Sequence, residues 1–250
     1  MPQSNFKNDI YQITLVIPSY CESERLPNYL GILAGTIPRD MKLIIVDDGS
    51  PEQEFLSMQT KIAKYLSHQV ELMRYEKNKG KGGAIEFGLE NAKTPWLGFL
   101  DADGSIPAHE VNRLWSLAKE ENRIELLMSS RKPAPAYTVV QDPVRKILRK
   151  IFVSYLRLLF RSQIHDSQCG YKIFSRNFYQ ESKEHLMDKG WLWDTELVIL
   201  AQTFGKKILE IPIDWSEKRG SKMHVCTDSI RMLRGLWRFK KKSQMLKRNL

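Results

Sequence analysis

The chain has 250 residues, of which 42% are hydrophobic and 27% are charged, as is typical of a globular domain rather than a disordered or fibrous protein. Its three widely spaced cysteines argue against a disulfide framework and favour a reducing compartment. No apolar run is long enough to span a bilayer, and the polar residues 1–9 lack the apolar core of a signal peptide. We therefore expect a cytoplasmic protein that is soluble or peripheral to a membrane.

The formal net charge of +10 is distributed unevenly along the chain. Residues 217–250 contain eleven Lys or Arg and two acids, which gives this segment a net charge of +9. A segment of this kind predicts an anionic partner, either nucleic acid or lipid headgroups.

Strand-like and helix-like patterns alternate over the first hundred residues. The predicted strands are 13–17, 43–46, 70–73 and 96–100, and the predicted helices are 26–33, 52–66 and 82–92. This alternation predicts an α/β fold with a doubly wound, mostly parallel sheet. A further strand is expected at 126–130, followed by a proline-rich loop at 132–143.

Two later segments, 144–160 and 229–247, combine apolar residues at helical spacing with many Lys and Arg. Each predicts a basic amphipathic helix, which suits either packing on a core or lying on an anionic membrane. Packing on a core is the more common case for one such helix, but two of them in one chain favour an interface.

Carboxylates follow two of the predicted strands. The strand at 96–100 leads into Asp101 and Asp103, and the strand at 43–46 leads into Asp47 and Asp48. Asp and Gly are ordinary turn residues, so one such pair alone is weak evidence. Because ligands of open α/β sheets bind beyond the carboxyl ends of the strands, two acidic strand ends indicate one site. Oxygen ligands there suit Mg²⁺ or Mn²⁺, which commonly bridge to substrate phosphates.

Two loops add possible ligand groups. Residues 18–22 follow the first strand and contain Tyr20, whose ring either stacks on a base or packs in the core. Residues 78–84, a glycine-rich basic loop, open a helix, where backbone N–H groups and a lysine suit a diphosphate. This loop matches neither the Walker spacing nor the dinucleotide fingerprint, which argues against ATP hydrolysis and NAD binding.

Taken together, these motifs resemble one family. VIPSYCE, VDDGS, NKGKGGAI and DADGS, in this order, are similar to the GT-A catalytic domain of family 2 glycosyltransferases. DSQCGYK at 166–172, WDTE at 193–196 and IDWSE at 213–217 resemble the polyprenyl-phosphate branch, and dolichyl-phosphate β-glucosyltransferases most closely. The resemblance implies a GT-A domain over residues 1–228, followed by a basic amphipathic tail at 229–250.

The resemblance also implies roles for individual residues. The groups expected to bind the nucleotide sugar are Pro18, Tyr20, Glu22, Asp47, Asp48, Lys81, Asp101, Ala102, Asp103 and Arg131. The expected ligands of Mg²⁺ or Mn²⁺ are Asp101, Asp103 and Ser105. The acceptor phosphate is expected to meet Arg219, Ser221 and Lys222. The groups assigned to catalysis are Asp101, Asp103, Asp166 and Arg145, and no role is carried over to Arg149.

The implied reaction transfers a hexose, with UDP-glucose as the favoured donor, to a polyprenyl or dolichyl monophosphate at the cytoplasmic face of a membrane. The anionic acceptor oxygen hardly needs a general base, so Asp166 is expected to position groups near the anomeric carbon. Asp194 and Glu196 are the alternative carboxylates, and both equally suit the N-terminus of a helix.

Three alternatives remain open at this point. In the first, the donor is GDP-mannose instead of UDP-glucose. In the second, the acceptor is a soluble or cell-wall sugar. In the third, the chain is a basic α/β protein that binds nucleic acid or membranes without catalysis. Nucleic acid is disfavoured as a partner, because the acidic strand ends repel phosphate unless a metal intervenes.

Overall fold

The computed structural model describes residues 11–121, 123–132, 134–140, 142–218, 220 and 225–249. Within them the strands are β1 (Ile13–Ser19), β2 (Met41–Asp48), β3 (Val70–Tyr75), β4 (Trp96–Leu100), β5 (Leu126–Ser130), β6 (Val139–Val140), β7 (Tyr171–Ser175), β8 (Ile208–Pro212) and β9 (Trp215–Ser216). The α-helices are α1 (Arg25–Ala34), α2 (Glu52–Ile62), α3 (Lys81–Asn91), α4 (Ala108–Glu120), α5 (Pro143–Phe160), α6 (Arg176–Ser182), α7 (Trp193–Thr203) and α8 (Val225–Asn249).

Seven strands form the central sheet in the order β3-β2-β1-β4-β7-β5-β8. β7 runs antiparallel to both of its neighbours, and the other pairs in this sheet are parallel. The predicted α/β class with a mostly parallel sheet is therefore confirmed. β6 and β9 form a small separate parallel pair within the described residues.

The sheet is covered on both faces, because its strands carry apolar side chains on alternating sides. One hydrophobic cluster joins the sheet to α1, α2 and α4 through residues such as Leu30, Met58 and Trp115. The other joins it to α3, α5, α7 and α8 and contains Trp193 and Leu236. The strand ends between these two helical layers remain open for a site.

The chain beyond β4 contains elements that the sequence patterns did not indicate. β6 lies inside the segment expected to be a loop, and α4, α6, α7, β7 and β8 were not predicted. The helix expected at 144–160 is present as α5, whose first turn is capped by Asp142 accepting from the N–H groups of Val144 and Arg145.

The basic tail forms one helix that packs on the body of the protein. Met232, Leu236 and Phe239 of α8 are buried in the second cluster. A Cβ on Gly235 would come within 2.6 Å of Leu192 Cδ2, so α8 approaches the start of α7 closely there. The boundary expected at residue 228 stays a prediction. Among the described helices, none combines the length and hydropathy that crossing a membrane requires.

Candidate active site

A cavity of about 590 Å³, here called the central cavity, lies beyond the carboxyl ends of β1, β2 and β4. Most of the residues predicted to form the site line it: Pro18, Tyr20, Glu22, Asp48, Lys81, Asp101, Ala102, Asp103, Ser105, Arg131 and Arg145. The strands end in register here, since Ser19 pairs with Asp47 and Asp48 with Tyr75. The parallel sheet thus brings sequence-distant motifs to one edge.

Two predicted residues do not line the central cavity. Asp47 is fully buried, and its carboxylate accepts from the N–H and the hydroxyl of Ser50, at 3.1 and 2.6 Å. Asp166 is fully buried behind Arg131. The three residues expected to hold the acceptor phosphate, Arg219, Ser221 and Lys222, lie outside the described residues.

The nucleoside side of the central cavity is formed by the loop after β1 and the end of β2. Tyr20 is 38% exposed, so its ring faces solvent rather than the core. Asp48 Oδ1 accepts from the Tyr75 hydroxyl at 2.6 Å and from the Lys79 N–H at 2.7 Å. Burial raises the pKa of Asp48 above its ordinary value, and these hydrogen bonds oppose that rise. Glu22 accepts from Arg25 Nε at 2.8 Å.

The glycine-rich loop differs from its expected use as a backbone cradle for a diphosphate. The N–H groups of Gly82 and Gly83 donate to the carbonyls of Gly190 and Lys189, at 3.2 and 2.9 Å. A Cβ on Gly82 would lie 2.6 Å from Trp193 Cβ. These glycines therefore serve close packing against the start of α7, and the charged group that this loop presents to the cavity is the Lys81 ammonium, beside Asn78 and Gly80.

Asp101 and Asp103 form the acidic floor of the central cavity. The Asp101 N–H donates to the Gly170 carbonyl at 2.8 Å, and a Cβ on Gly170 would lie 2.0 Å from Asp101 Oδ2. Glycine is thus required in the DSQCGYK motif because the Asp101 carboxylate occupies the space of a side chain. Asp103 Oδ1 accepts from the Ser105 N–H at 2.9 Å.

This floor fits a divalent cation by its donor chemistry. Ser105 is 4% exposed and lines the central cavity, yet its Oγ has no hydrogen-bond partner among the described residues. A buried hydroxyl without a partner is costly unless a ligand engages it. Two carboxylates and one hydroxyl are hard oxygen donors of the kind that Mg²⁺ and Mn²⁺ prefer.

The central cavity also has a basic wall, formed by Arg131, Arg145 and Arg149. Arg131 donates to Asp166 from its backbone N–H, Nε and Nη2, at 2.9, 2.7 and 2.8 Å. Burial alone raises the pKa of Asp166, but the ion pair with Arg131 outweighs it and holds that pKa below its ordinary value. Arg145 Nη1 lies 3.0 Å from Glu217 Oε1.

Arg149 also lines this basic side, although the motifs indicated no role for it. Its Nη1 lies 3.9 Å from Asp166 Oδ2, a carboxylate that Arg131 already neutralises. Its Nε is buried without a partner among the described residues. Burial lowers the pKa of Arg149, and Arg131 lowers it further. This guanidinium is therefore only weakly compensated by the protein.

Other residues that line the central cavity were not predicted to belong to the site. Trp191 precedes α7, Gln168 lies in the DSQCGYK motif, and Asp228 and Met232 come from α8. Gln168 Nε2 donates to Met232 Sδ at 3.2 Å, so α8 is joined to the cavity wall. The family motifs pointed to the segments of Trp191 and Gln168, whereas only the folded chain shows that α8 closes one side of the cavity.

The alternative carboxylates Asp194 and Glu196 occupy different surroundings. Asp194 lines the cavity, and burial raises its pKa while Lys172 and Lys81 oppose the rise. Glu196 accepts from the N–H groups of Met187 and Asp188, at 2.7 and 3.0 Å, and burial raises its pKa to about 7. Glu196 therefore holds the loop before α7 rather than facing the cavity.

A second group of possible metal ligands comprises His109, Glu110 and Asp214, and these residues do not line the central cavity. Both oxygens of Glu110 are already used, because Oε1 accepts from the Asp214 N–H at 2.9 Å and Oε2 accepts from Arg113 Nε at 2.7 Å. We explain this cluster by its structural contacts and place no metal there.

The comparisons with known proteins identify the family. The model of glycosyl transferase family 2 matches residues 14–182, which include the strand-end carboxylates and the basic wall. The chain belongs to glycosyl transferase family 2. It is 30% identical to the dolichyl-phosphate beta-glucosyltransferase of Saccharomyces cerevisiae over 256 residues, covering 94% of this chain and 77% of that protein. The Homo sapiens protein of the same name is also 30% identical, with 94% and 80% covered. The resemblance drawn from the motifs is confirmed.

Solved structures share the fold of this protein over nearly the whole chain. Glucosyl-3-phosphoglycerate synthase from Mycobacterium tuberculosis in complex with UDP superposes with a TM-score of 0.67 and 15% identity, covering 94% of this chain and 80% of that one. The same enzyme with Mn²⁺ and UDP-glucose also gives a TM-score of 0.67, at 14% identity. At these identities the likeness concerns the fold. Membership of the family makes the protein a glycosyltransferase.

Proposed function

We propose that this glycosyltransferase moves glucose from UDP-glucose to a polyprenyl monophosphate, of which dolichyl phosphate is the type named for its relatives. The observation that carries the proposal is the division of the central cavity into an acidic floor and a basic wall. The floor suits a metal-bound diphosphate, and the wall suits a second phosphate. A cavity for a neutral sugar acceptor would not need the weakly compensated Arg149.

The donor is proposed to lie along the carboxyl ends of β1, β2 and β4. Tyr20 offers its exposed ring to the base, and Asp48 accepts from the base or ribose. Lys81 faces the diphosphate. Asp101, Asp103 and Ser105 would hold Mg²⁺ or Mn²⁺, which supplies Lewis-acid stabilisation of the departing diphosphate. The Mn²⁺ and UDP-glucose bound to the structurally similar synthase support this arrangement in kind.

The acceptor phosphate is proposed to lie against Arg131, Arg145 and Arg149. One phosphate oxygen forms a bond to C1 of the sugar as the bond from C1 to the nucleoside diphosphate breaks, and the electron pair leaves with the diphosphate. Inversion of an α-linked donor gives a β-linked product. No proton has to be removed, because the phosphate oxygen is already anionic. Asp166 acts through Arg131, whose guanidinium it orients.

The membrane surface is proposed to meet α5 and α8. Both helices expose apolar residues beside Lys and Arg: Val144, Ile147, Ile151 and Leu158 on α5, and Ile230, Trp237 and Met245 on α8. A groove between the two helices shares Arg231 and Leu233 with the central cavity. This continuity offers a lipid acceptor a path from the exposed face to the basic wall. We place this surface at the cytoplasmic side of the membrane.

The deciding experiment incubates the purified protein with UDP-glucose or GDP-mannose, Mg²⁺ or Mn²⁺, and either dolichyl phosphate or a soluble sugar acceptor. We expect a glucosylated lipid phosphate from UDP-glucose. A product from GDP-mannose alone would overturn the donor, and a product on the soluble sugar alone would overturn the acceptor. Calorimetry with UDP and GDP in the presence of Mn²⁺ tests the base independently, and tight binding of GDP without UDP binding would exclude uracil.

A further inference from the structure

Two buried charged side chains, Lys172 and Asp194, have no part in the reaction as described. Lys172 of β7 is 0% exposed, and its Nζ donates to the Cys169 carbonyl at 2.9 Å. The same Nζ lies 3.6 Å from Asp194 Oδ2. A buried lysine in the middle of a sheet is costly unless an anion compensates it. Lys172 and Asp194 therefore form a buried ion pair at the edge of the central cavity.

Lys81 lies between two carboxylates. Its Nζ is 2.7 Å from Asp101 Oδ1 and 4.0 Å from Asp194 Oδ2. The charges alternate from the cavity inward as Asp101, Lys81, Asp194 and Lys172. The ammonium of Lys81 is 5.2 Å from the centre of the Phe99 ring and 5.6 Å from that of Trp191, and only 11% of its side chain is exposed. Its nearest alternative anion within the described residues is Asp194.

The contact between Lys81 and Asp101 opposes the binding of a metal. Asp101 is one of the proposed metal ligands, and an ammonium 2.7 Å from its oxygen occupies part of the space and charge that a divalent cation needs. Like charges at such short distances repel strongly in a partly buried site. Metal binding through Asp101 Oδ1 therefore requires Lys81 to leave that oxygen and to find another anion.

We propose that Asp194 is a positioning residue that receives Lys81 when a divalent cation binds Asp101, and that Lys172 limits how strongly Asp194 attracts Lys81. The proposal rests on the metal site of the proposed function. It assigns Asp194 a role other than proton removal, which agrees with its contacts to two ammonium groups. Lys81 then lies next to the diphosphate position without competing with the metal.

The test measures Mn²⁺ binding to the protein alone, by titration followed with electron paramagnetic resonance, so that no turnover is needed. We expect Asp194→Asn to weaken Mn²⁺ binding about tenfold, which corresponds to about 1.4 kcal/mol, because Lys81 then stays paired with Asp101. Lys81→Met should bind Mn²⁺ at least as tightly as the unmodified protein. Adding Asp194→Asn to Lys81→Met should then change the affinity by less than about twofold.

Two further variants separate this role from structural damage. Lys172→Met should strengthen Mn²⁺ binding, because an uncompensated Asp194 draws Lys81 away from Asp101. Glu196→Gln removes an equally buried acid of α7 that does not contact Lys81, and above its pKa of about 7, where the carboxyl group is ionised, this variant should leave the affinity unchanged. Circular dichroism identifies the folded variants. If Lys172→Met does not fold, the proposal is tested by the double-mutant cycle of Lys81→Met and Asp194→Asn alone.

Three results are possible for this proposal. A weakening by Asp194→Asn that disappears in the Lys81→Met background supports it. An unchanged affinity in Asp194→Asn, or the same weakening in both backgrounds, overturns it while leaving the metal site intact. If the unmodified protein binds no Mn²⁺ and glucosyl transfer persists in excess EDTA, the metal part of the proposed function fails, and this inference fails with it.

Discussion

The acidic floor and the basic wall of the central cavity come from different parts of the chain and carry opposite charge. The acidic floor is supplied by the loop after β4, within the first 105 residues. The basic wall is supplied by α5 and by the loop after β5. A sheet edge of parallel strands thus presents carboxylates, and the later elements add guanidinium groups around it. The proposed function accordingly assigns the metal and the nucleotide to the first of these regions and the acceptor phosphate to the second.

The acidic floor and the basic wall also differ in how fully their charges are compensated by oppositely charged side chains of the protein. Asp101 has Lys81 as a partner, and Arg131 has Asp166. Arg149 shares a carboxylate that is already neutralised. Desolvated charge without full compensation is costly to the folded protein, so its presence in a cavity favours a ligand of opposite charge. Substitutions in the acidic floor and in the basic wall therefore test the two surfaces separately.

The largest effect is expected from the acidic floor. Asp103→Asn keeps the size of the side chain but removes the charge that a cation needs, and it should lower kcat by about 10³-fold or more. Circular dichroism should show an unchanged fold, because Asp103 lies in a loop at the cavity. The matching measurement on the unmodified protein is activity in excess EDTA. Persistent turnover there, or a variant that retains most of its activity, would contradict the metal assignment.

A smaller effect is expected when the floor is moved rather than neutralised. Gly170→Ala places a methyl group where Asp101 Oδ2 now lies, 2.0 Å from the new Cβ, and the carboxylate must shift. A displacement of about 1 Å at a reacting site costs about 10²-fold in rate. Gly35→Ala is the control, since its Cβ would meet no atom closer than 3.9 Å and its φ is −86°. Equal activity in both variants would show that Asp101 tolerates displacement.

The floor was predictable from the sequence because it depends on local patterns. β1, β2 and β4 are short apolar runs followed at once by polar residues, and parallel strands bring such ends together. Their predicted bounds lie within about two residues of those in the structure. The role of Gly170 was hidden, since it depends on a contact between two antiparallel strands far apart in the chain.

The elements that follow β4 were harder to predict from the sequence, for physical reasons. α7 is buried on nearly every side, so its sequence shows no amphipathic period. β7 carries the charged Lys172 in a central strand, which obscures a strand pattern. α4 is different, because Val111, Leu114 and Trp115 have helical spacing and its signal was available. The place of α8 in the cavity wall depends on tertiary packing alone.

The basic wall is tested by removing its weakly compensated charge. Arg149→Met should raise the KM for the lipid phosphate between tenfold and a hundredfold, since a charge-assisted hydrogen bond contributes about 1.5–3 kcal/mol. UDP affinity should remain unchanged. Lys150→Met is the matched control, because it removes the same charge from the next residue of α5 and is exposed outside the cavity. A loss of UDP affinity with an unchanged acceptor KM would place Arg149 on the donor side.

The smallest effect concerns the surface that is proposed to bring the two walls to a membrane. Trp237 of α8 is 52% exposed, and Lys241 Nζ lies 4.4 Å from the centre of its ring. Trp237→Ser should weaken binding to anionic liposomes about tenfold, because an aromatic ring at the interface adds a salt-insensitive contribution to the screened attraction of the basic residues. Ile32→Ser on α1 is the control, at 58% exposure and away from the basic helices.

Co-sedimentation at low and high salt separates the two contributions to membrane binding. We expect the Trp237→Ser variant to lose mainly the binding that survives high salt, while UDP affinity stays unchanged because Trp237 does not line the central cavity. The proposed membrane-binding surface would be contradicted if the protein did not bind anionic liposomes at low salt and still glycosylated a water-soluble acceptor. The basic wall would then serve a soluble anion, and α5 and α8 would act only as the cover of the second hydrophobic cluster.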